Sequence, residues 1–161
     1  MILAQGAWGG ARFLNPDDGK AAAKTLRRMA TAYIDRYLAE RTLSPESIAA
    51  ALRLSRSTLY RLFEPDGGVA SYVIARRLDR CFDAIAQGRG AHVGAIAFAH
   101  GFASEAHFSR AFRARFGISP REVRVLAERH PIPSLKTEGI DALAIMPQWV
   151  RGLGSTASAE R

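Results

Sequence analysis

Apolar residues in the central part of the chain recur at intervals of three and four positions, the spacing of an amphipathic helix with one buried face. In a first predicted helix, from about Ala21 to Glu40, this face consists of Leu26, Met29, Tyr33 and Tyr37. The sequence shows no sustained alternation of apolar and polar residues, which would indicate strands. The pattern therefore predicts an all-α fold.

Residues that favour helix ends divide the rest of this region into further helices. Ser44, which precedes a proline, and Ser55 are favourable N-caps that predict the starts of a second and a third helix. Ser119 and Glu122 complete a capping box that predicts a seventh. The remaining predicted helices cover about 69–86, about 92–100 and about 103–116.

Two segments of the chain, 48–63 and 96–112, resemble each other when one extra residue is allowed in the second. Each consists of a helix, a short turn and an amphipathic second helix, the form of a helix-turn-helix motif whose second helix can enter the major groove. Joined by helix 69–86, the two second helices could reach successive major grooves, about 34 Å apart. The aligned pairs include Ile48 with Ile96, Ala49 with Ala97, Leu54 with Phe102, Leu59 with Phe108, Arg61 with Arg110 and Phe63 with Phe112.

The excess charge is confined to the same region. The net charge is +8, and 20 of the 23 cations are arginine. Residues 21–130 hold 18 cations and 10 anions, a difference of +8, whereas 1–20 and 131–161 are each neutral. This excess favours a phosphate-bearing partner, the alternatives being a solvated basic surface or an arginine-rich genome. We predict a flexible 1–20, a folded 21–130 with motifs at about 44–64 and 92–116, and a partly disordered 131–161.

Composition excludes several other classes of protein. The single cysteine, Cys81, cannot form a disulfide framework or a thiolate zinc cluster, and the four histidines lack ligand spacing. No apolar run approaches the roughly 18 residues of a membrane span and no secretion signal is evident, so a cytoplasmic, nucleoid-associated protein is expected. Nothing indicates an enzyme or a cofactor. Cys81 is expected to be a small buried side chain, not a redox centre or an alkyl acceptor.

Residues 101–124, GFASEAHFSRAFRARFGISPREVR, resemble the second helix-turn-helix and following signature of the AraC/XylS family of bacterial transcription regulators. Upstream, LSPESIAAALRLSRSTLYRLF and RRLDRCFDAI agree with the first motif and the linking helix, so the resemblance covers about 21–130. It implies two homeodomain-like helix-turn-helix subdomains. Val123, where tyrosine is usual, and Arg53, where a small residue is common, depart from the pattern.

Family members generally carry a separate effector-binding or dimerisation domain. Residues 1–20 are too few to form one. The chain therefore resembles the stand-alone, two-motif form or a truncated member, and no effector ligand is expected within it.

The resemblance also indicates which residues would contact double-stranded DNA. Arginine can donate two hydrogen bonds to guanine, glutamate can accept one from cytosine N4, and alanine can touch a thymine methyl group. The residues on base-facing positions are Ser57, Tyr60 and Arg61 in the first motif, and Glu105, Ala106, His107 and Arg110 in the second. Arg56, Thr58 and Arg113 are assigned to phosphates, which position a protein without specifying sequence.

Several of these assignments have a structural alternative. Tyr60 could be a half-buried edge of the core, and Glu105 could be an acid favoured by the first turn of its helix. Arg110 could form an ion pair with a neighbour, and His107 could be a passive surface residue. Four phenylalanines have the helical spacing of a core and not of a base-stacking platform: Phe102, Phe108, Phe112 and Phe116.

The sequence thus predicts a sequence-specific transcription regulator that binds duplex DNA through two helix-turn-helix motifs. The alternative is a diverged or truncated regulator that acts mainly as a protein-interaction module and binds DNA weakly. Such a module would contact RNA polymerase or a partner regulator, and its docking segment would be 140–150, which includes Trp149.

Overall fold

The computed structural model describes residues 16–88 and 92–129, with side chains from residue 19 onward. Over these residues the chain forms seven α-helices and a 3-10 turn, and it contains no strand, which confirms the predicted all-α fold. None of the helices found there has the length and apolar character needed to cross a membrane. The helices are α1 (Pro16–Tyr37), α2 (Pro45–Ala51), α3 (Arg56–Leu62), α4 (Val69–Ala86), α5 (Val93–Ala99), α6 (Glu105–Phe116) and α7 (Pro120–Arg129), and the 3-10 turn is Glu64–Asp66.

The side chains at the helix ends make the capping contacts that the sequence predicts. Ser44 and Ser47 form a reciprocal capping box at the start of α2. At α7 the backbone N–H of Ser119 donates to the Glu122 carboxylate (2.6 Å), and the Glu122 N–H donates to the Ser119 hydroxyl (3.3 Å). Gly117 ends α6 in the left-handed conformation, with φ at 76°. Local capping therefore sets these helix ends.

The first helix differs from the prediction in its start and in its buried face. α1 begins at Pro16, within the segment predicted to be flexible, and ends at Tyr37. Proline suits the first helical position, so a segment that contains Pro16 can open a helix as readily as it forms a turn. Met29 is 52% exposed, and the fully buried residues on α1 are Ala30 and Ile34.

Two apolar cores share α4. The first unit, formed by α1–α3 and the start of α4, buries Ile34, Ile48, Leu59, Phe63, Val69 and Val73. The second unit, formed by the rest of α4 and by α5–α7, buries Leu78, Phe82, Ile85, Ile96, Phe102, Phe108, Phe112, Phe116 and Val123. The four phenylalanines predicted as core are thus all buried, and the rings of Phe108 and Phe112 meet edge to face at 5.4 Å between centroids.

Cys81 lies in the second core and has no exposed surface. Burial raises the pKa of its thiol to about 12. The thiolate, which is the reactive form, is therefore scarce at neutral pH, and Cys81 acts as the small apolar side chain that the sequence predicts.

We expect Phe112→Ala to lower the free energy of unfolding by about 3–5 kcal/mol, because it removes a buried ring and leaves a cavity among three other phenylalanines. Phe98→Ala is the matched control, since Phe98 is 50% exposed and its loss should change stability by no more than about 0.5 kcal/mol. Urea unfolding followed by circular dichroism measures both. Equal losses in the two variants would contradict the assignment of the core.

Candidate nucleic-acid interface

The turns of the two helix-turn-helix motifs have the same hydrogen-bonded geometry. The Leu54 N–H donates to the Ala49 carbonyl (2.9 Å), and the Phe102 N–H donates to the Ala97 carbonyl (3.0 Å). The residue before each donor has a positive φ, 52° at Arg53 and 85° at Gly101. A left-handed conformation strains an arginine by about 1–2 kcal/mol. This explains why the family pattern usually has a small residue where this chain has Arg53.

The single extra residue of the second motif lies between the turn and the second helix. Ser55 caps α3 directly after Leu54, whereas Ala103 separates Phe102 from the cap Ser104. Beyond the caps the two motifs match again, since the N–H groups of the fourth residues, Leu59 and Phe108, each donate to the cap carbonyl at 3.0 Å. This register places Arg61 and Arg110 at the same position of their helices.

The structure exposes all seven residues assigned to bases: Ser57, Tyr60, Arg61, Glu105, Ala106, His107 and Arg110. Tyr60 is 42% exposed, a value that fits both a base contact and the half-buried core edge of its alternative. Three lie on the second helix of the first motif and four on that of the second, each helix with its inner face in a core. The exposed faces are therefore available to a ligand.

Arg61 and Arg110 have no ion-pair partner among residues 19–88 and 92–129, so the ion-pair alternative for Arg110 finds no support there. Each borders a shallow, open depression on its motif. Arg110 shares its depression with Ser109, Arg113, Ala114 and Ser119. Arg61 shares the other with Tyr60, Glu64, Gly67 and Gly68. Both guanidinium groups can therefore donate to an incoming acceptor.

Other predicted contacts are engaged within the protein. Arg56 forms an exposed ion pair with Glu46 at 3.1 Å. The hydroxyls of Ser57 and Thr58 lie 3.0 Å and 2.8 Å from the Ser55 hydroxyl, in the cap of α3. Because an exposed pair contributes little energy and hydroxyls can rotate, these groups could exchange partners on binding.

Glu105 and His107 lean towards the body of the second unit. A Cβ added to Gly94, near the start of α5, would lie 2.8 Å from a carboxylate oxygen of Glu105. The His107 ring lies 6.1 Å from that of Phe102, between centroids. Glu105 is the first residue of α6, so it lies at the positive end of its own helix dipole, as its alternative proposed, and it is also close to the start of α5. To accept from a base, its carboxylate would have to swing away from α5.

Sequence reasoning missed two arginines that hold the second helices in place. Arg27 donates to the Leu62 carbonyl at the end of α3, pairs with Asp66 at 2.8 Å, and lies over the Phe63 ring at 4.8 Å. Arg115 of α6 donates to both oxygens of Asp79 on α4, at 2.9 Å and 3.2 Å. The signal in the sequence is position, because Arg27 follows Leu26 and Arg115 precedes Phe116, each an apolar residue of a predicted buried face. Net charge alone does not distinguish such structural arginines from surface ones.

A duplicated helix-turn-helix with an exposed basic residue at the same place in both copies defines a double helix-turn-helix domain of the DNA-binding type. The model of a family described as "Helix-turn-helix domain" matches residues 48–125. A crystal structure of an AraC-type DNA-binding domain-containing regulator from Chromobacterium violaceum is 30% identical, with a TM-score of 0.60, and covers 66% of this chain and 96% of that one. The chain belongs to the AraC-type family of transcription regulators.

Two curated relatives of this chain are named as transcriptional activators. The transcriptional activator RhrA of Rhizobium meliloti is 32% identical over 96 residues, which are 58% of this chain and 31% of the relative. The activator RhaS of Escherichia fergusonii is 37% identical over 95 residues, 58% of this chain and 34% of the relative. This chain therefore spans about a third of the length of these relatives. The C-terminal domain of AraT from Geobacillus stearothermophilus, 21% identical with a TM-score of 0.58, shares the fold and covers 81% of this chain and 98% of its own.

We expect Arg115→Met to destabilise the protein by about 2–4 kcal/mol at pH 7, because it leaves the carboxylate of Asp79 largely buried without its cation. Burial already raises the pKa of Asp79, and Arg115 opposes that rise. Without Arg115 the carboxyl should therefore take up a proton at higher pH, and the difference from wild type should shrink as the pH falls towards 4.

Urea unfolding at several pH values measures this effect. Arg56→Met is the control, because it breaks the exposed pair with Glu46 and should cost no more than about 1 kcal/mol at any pH. A loss in Arg115→Met that does not depend on pH would contradict the role given to Asp79.

Proposed function

We propose that the chain is a sequence-specific transcription regulator that reads duplex DNA with α3 and α6 in successive segments of the major groove. The observation that carries the proposal is the pair Arg61 and Arg110, exposed at one position of two equivalent helices and without an ion-pair partner in the described residues. An unpaired guanidinium can donate to both O6 and N7 of guanine, the commonest specific contact in the major groove.

The other contacts divide between bases and phosphates. We propose base contacts from Ser57, Tyr60, Glu105, Ala106 and His107, which are all exposed. Phosphate contacts are proposed for Arg56, Thr58 and Arg113. Since RhrA and RhaS are named transcriptional activators, activation through contact with RNA polymerase in the cytoplasm is part of the proposal.

The protein-interaction alternative is less favoured. The family match extends over both motifs, residues 48–125. The exposed faces of α3 and α6 carry the donors that DNA recognition needs. The docking segment of the alternative, 140–150 with Trp149, lies outside the described residues.

Selection from a random duplex library at about 0.15 M salt, where nonspecific phosphate binding is weakened, tests the proposal directly. We expect an enriched bipartite sequence with half-sites about one helical turn apart. The recovered sequence would identify the operator. A folded protein that enriches no sequence would overturn the proposal and favour the interaction module.

Single substitutions separate base reading from phosphate binding. Arg61→Ala and Arg110→Ala should each cost about 1–3 kcal/mol of affinity and relax the sequence preference in one half-site only. Arg113→Ala on α6 removes the same charge and should weaken all sequences alike, reducing the salt dependence by about one ion. Repeating the selection with each variant, with binding titrations at several salt concentrations, measures these effects. If Arg61→Ala and Arg110→Ala keep the wild-type motif and only reduce the salt dependence, both arginines are phosphate contacts and not base contacts.

A further inference from the structure

The side chain of Arg77, in the middle of α4, lies between the two units and bonds to both. Its Nε donates to the Leu38 carbonyl at 2.9 Å, and its Nη2 donates to the Glu40 carbonyl at 2.7 Å. Both acceptors follow the end of α1 in the first unit. Its Nη1 donates to the carbonyl of Gly101 at 3.1 Å, in the turn of the second helix-turn-helix. One guanidinium therefore ties the end of α1 to the turn that precedes α6.

The electrostatics of this joint suit an arginine. α1 ends at Tyr37 and α5 ends at Ala99, so the three acceptor carbonyls follow the ends of two helices by one to three residues. The C-terminal end of a helix carries the negative end of the helix dipole, which favours a cation nearby. A planar guanidinium with five N–H donors can satisfy groups in several directions at once. A lysine ammonium, as a compact point charge, cannot reproduce that arrangement.

The absence of a side chain at Gly101 allows the Arg77 guanidinium to approach the backbone closely. A Cβ at this position would lie 2.9 Å from both Cζ and Nε of Arg77. The positive φ of 85° also favours glycine in this turn. The close approach of the guanidinium to the backbone thus explains why the second motif carries glycine where the first carries Arg53.

Two other charged pairs of α4 each act within one unit. Arg76 donates to Asp35 of α1, with Nη2 at 2.9 Å and Nε at 3.1 Å. Asp79 accepts from Arg115 of α6 at 2.9 Å. Arg77 differs from both in that its bonds cross from the first unit to the second.

We propose that Arg77 is a positioning residue that sets the distance and rotation between the two recognition helices, and thereby the number of base pairs that the protein accepts between its half-sites. The inference rests on the proposed function, because it presumes that α3 and α6 read one DNA molecule together. One base pair changes the separation by about 3.4 Å and the rotation by about a tenth of a turn. A small change in the joint would therefore alter the preferred spacing.

A panel of duplexes tests the proposal on DNA. It contains the selected bipartite site with its natural spacer and with spacers one or two base pairs shorter or longer. We expect wild type to bind the natural spacer at least about tenfold more tightly than the others, a difference of about 1.4 kcal/mol. Arg77→Met should reduce this preference to about threefold or less, chiefly by weakening binding to the natural spacer. Arg77→Lys should lie between the two.

Arg76→Met is the matched control, since it removes the same charge from the neighbouring position of α4 but breaks a contact within the first unit. It should keep the wild-type spacer preference. Arg77 variants that keep the wild-type preference, or an Arg76→Met variant that loses it equally, would overturn the role of Arg77. A wild-type protein with no preferred spacer would overturn the proposed two-helix reading itself.

A measurement without DNA tests the joint directly. Spin labels on Ala50→Cys in α2 and Ala114→Cys in α6, both at exposed positions, report the distance between the units. Cys81 is fully buried and should remain unlabelled. Arg77→Met should broaden the distance distribution, and Arg76→Met should not. An unchanged distribution in both Arg77→Met and Arg77→Lys would overturn the inference even if wild type reads a bipartite site.

Discussion

Neither apolar core is complete without the helix that both units share. α4 supplies Val69 and Val73 to the first core, and Leu78, Phe82 and Ile85 to the second. Units this small bury too little surface to be stable alone unless they gain area from a neighbour. Sharing one helix gives each unit that area. It also means that the two units cannot separate without exposing apolar side chains of α4.

The shared helix α4 also sets the distance between the two units, and so between α3 and α6. Its 18 residues make a rod of about 27 Å, comparable with the roughly 34 Å between successive major grooves. The helix alone joins the two units only through the side chains that pack on it. The hydrogen bonds of Arg77 to Leu38 and Gly101 add a direct link between the units. Apolar packing on α4 and this polar link thus act together on the distance and the rotation between α3 and α6.

The sequence allows the helices, their caps and the duplication to be predicted, because each depends on residues close together in the chain. Ser55 caps α3 as expected, and Ser104 caps α6 close to the predicted start of that helix. The buried face of α1 could not be assigned as well, since Met29 and Ala30 occupy adjacent positions and only packing against α2 and α3 decides between them. The partners of the arginines depend on contacts across more than 30 residues. Arg27 with Asp66 and Arg115 with Asp79 are of this kind.

For the interface, the sequence and the family resemblance assign the recognition faces but not the state of each side chain. The exposure of Arg61 and Arg110 follows from helical periodicity, because Leu59 and Phe108, each two residues earlier and on the opposite side of the helix, face inward. The ion pair of Arg56 and the position of Glu105 near Gly94 depend on neighbouring helices. Local patterns therefore indicate where DNA would lie, whereas tertiary contacts decide which groups are already free to meet it.

The two motifs have the same backbone geometry, but the exposed side chains of their second helices differ. After the cap, α3 begins with Arg56, Ser57 and Thr58, whereas α6 begins with Glu105, Ala106 and His107. Hydroxyls and a guanidinium donate readily, while a carboxylate only accepts, so equivalent positions favour different bases. Among the exposed residues of α3 and α6, Arg61 and Arg110 are the equivalent pair with the same side chain in both helices. A single copy of this domain should therefore read two unlike half-sites, and their order would fix the direction in which the protein lies on DNA.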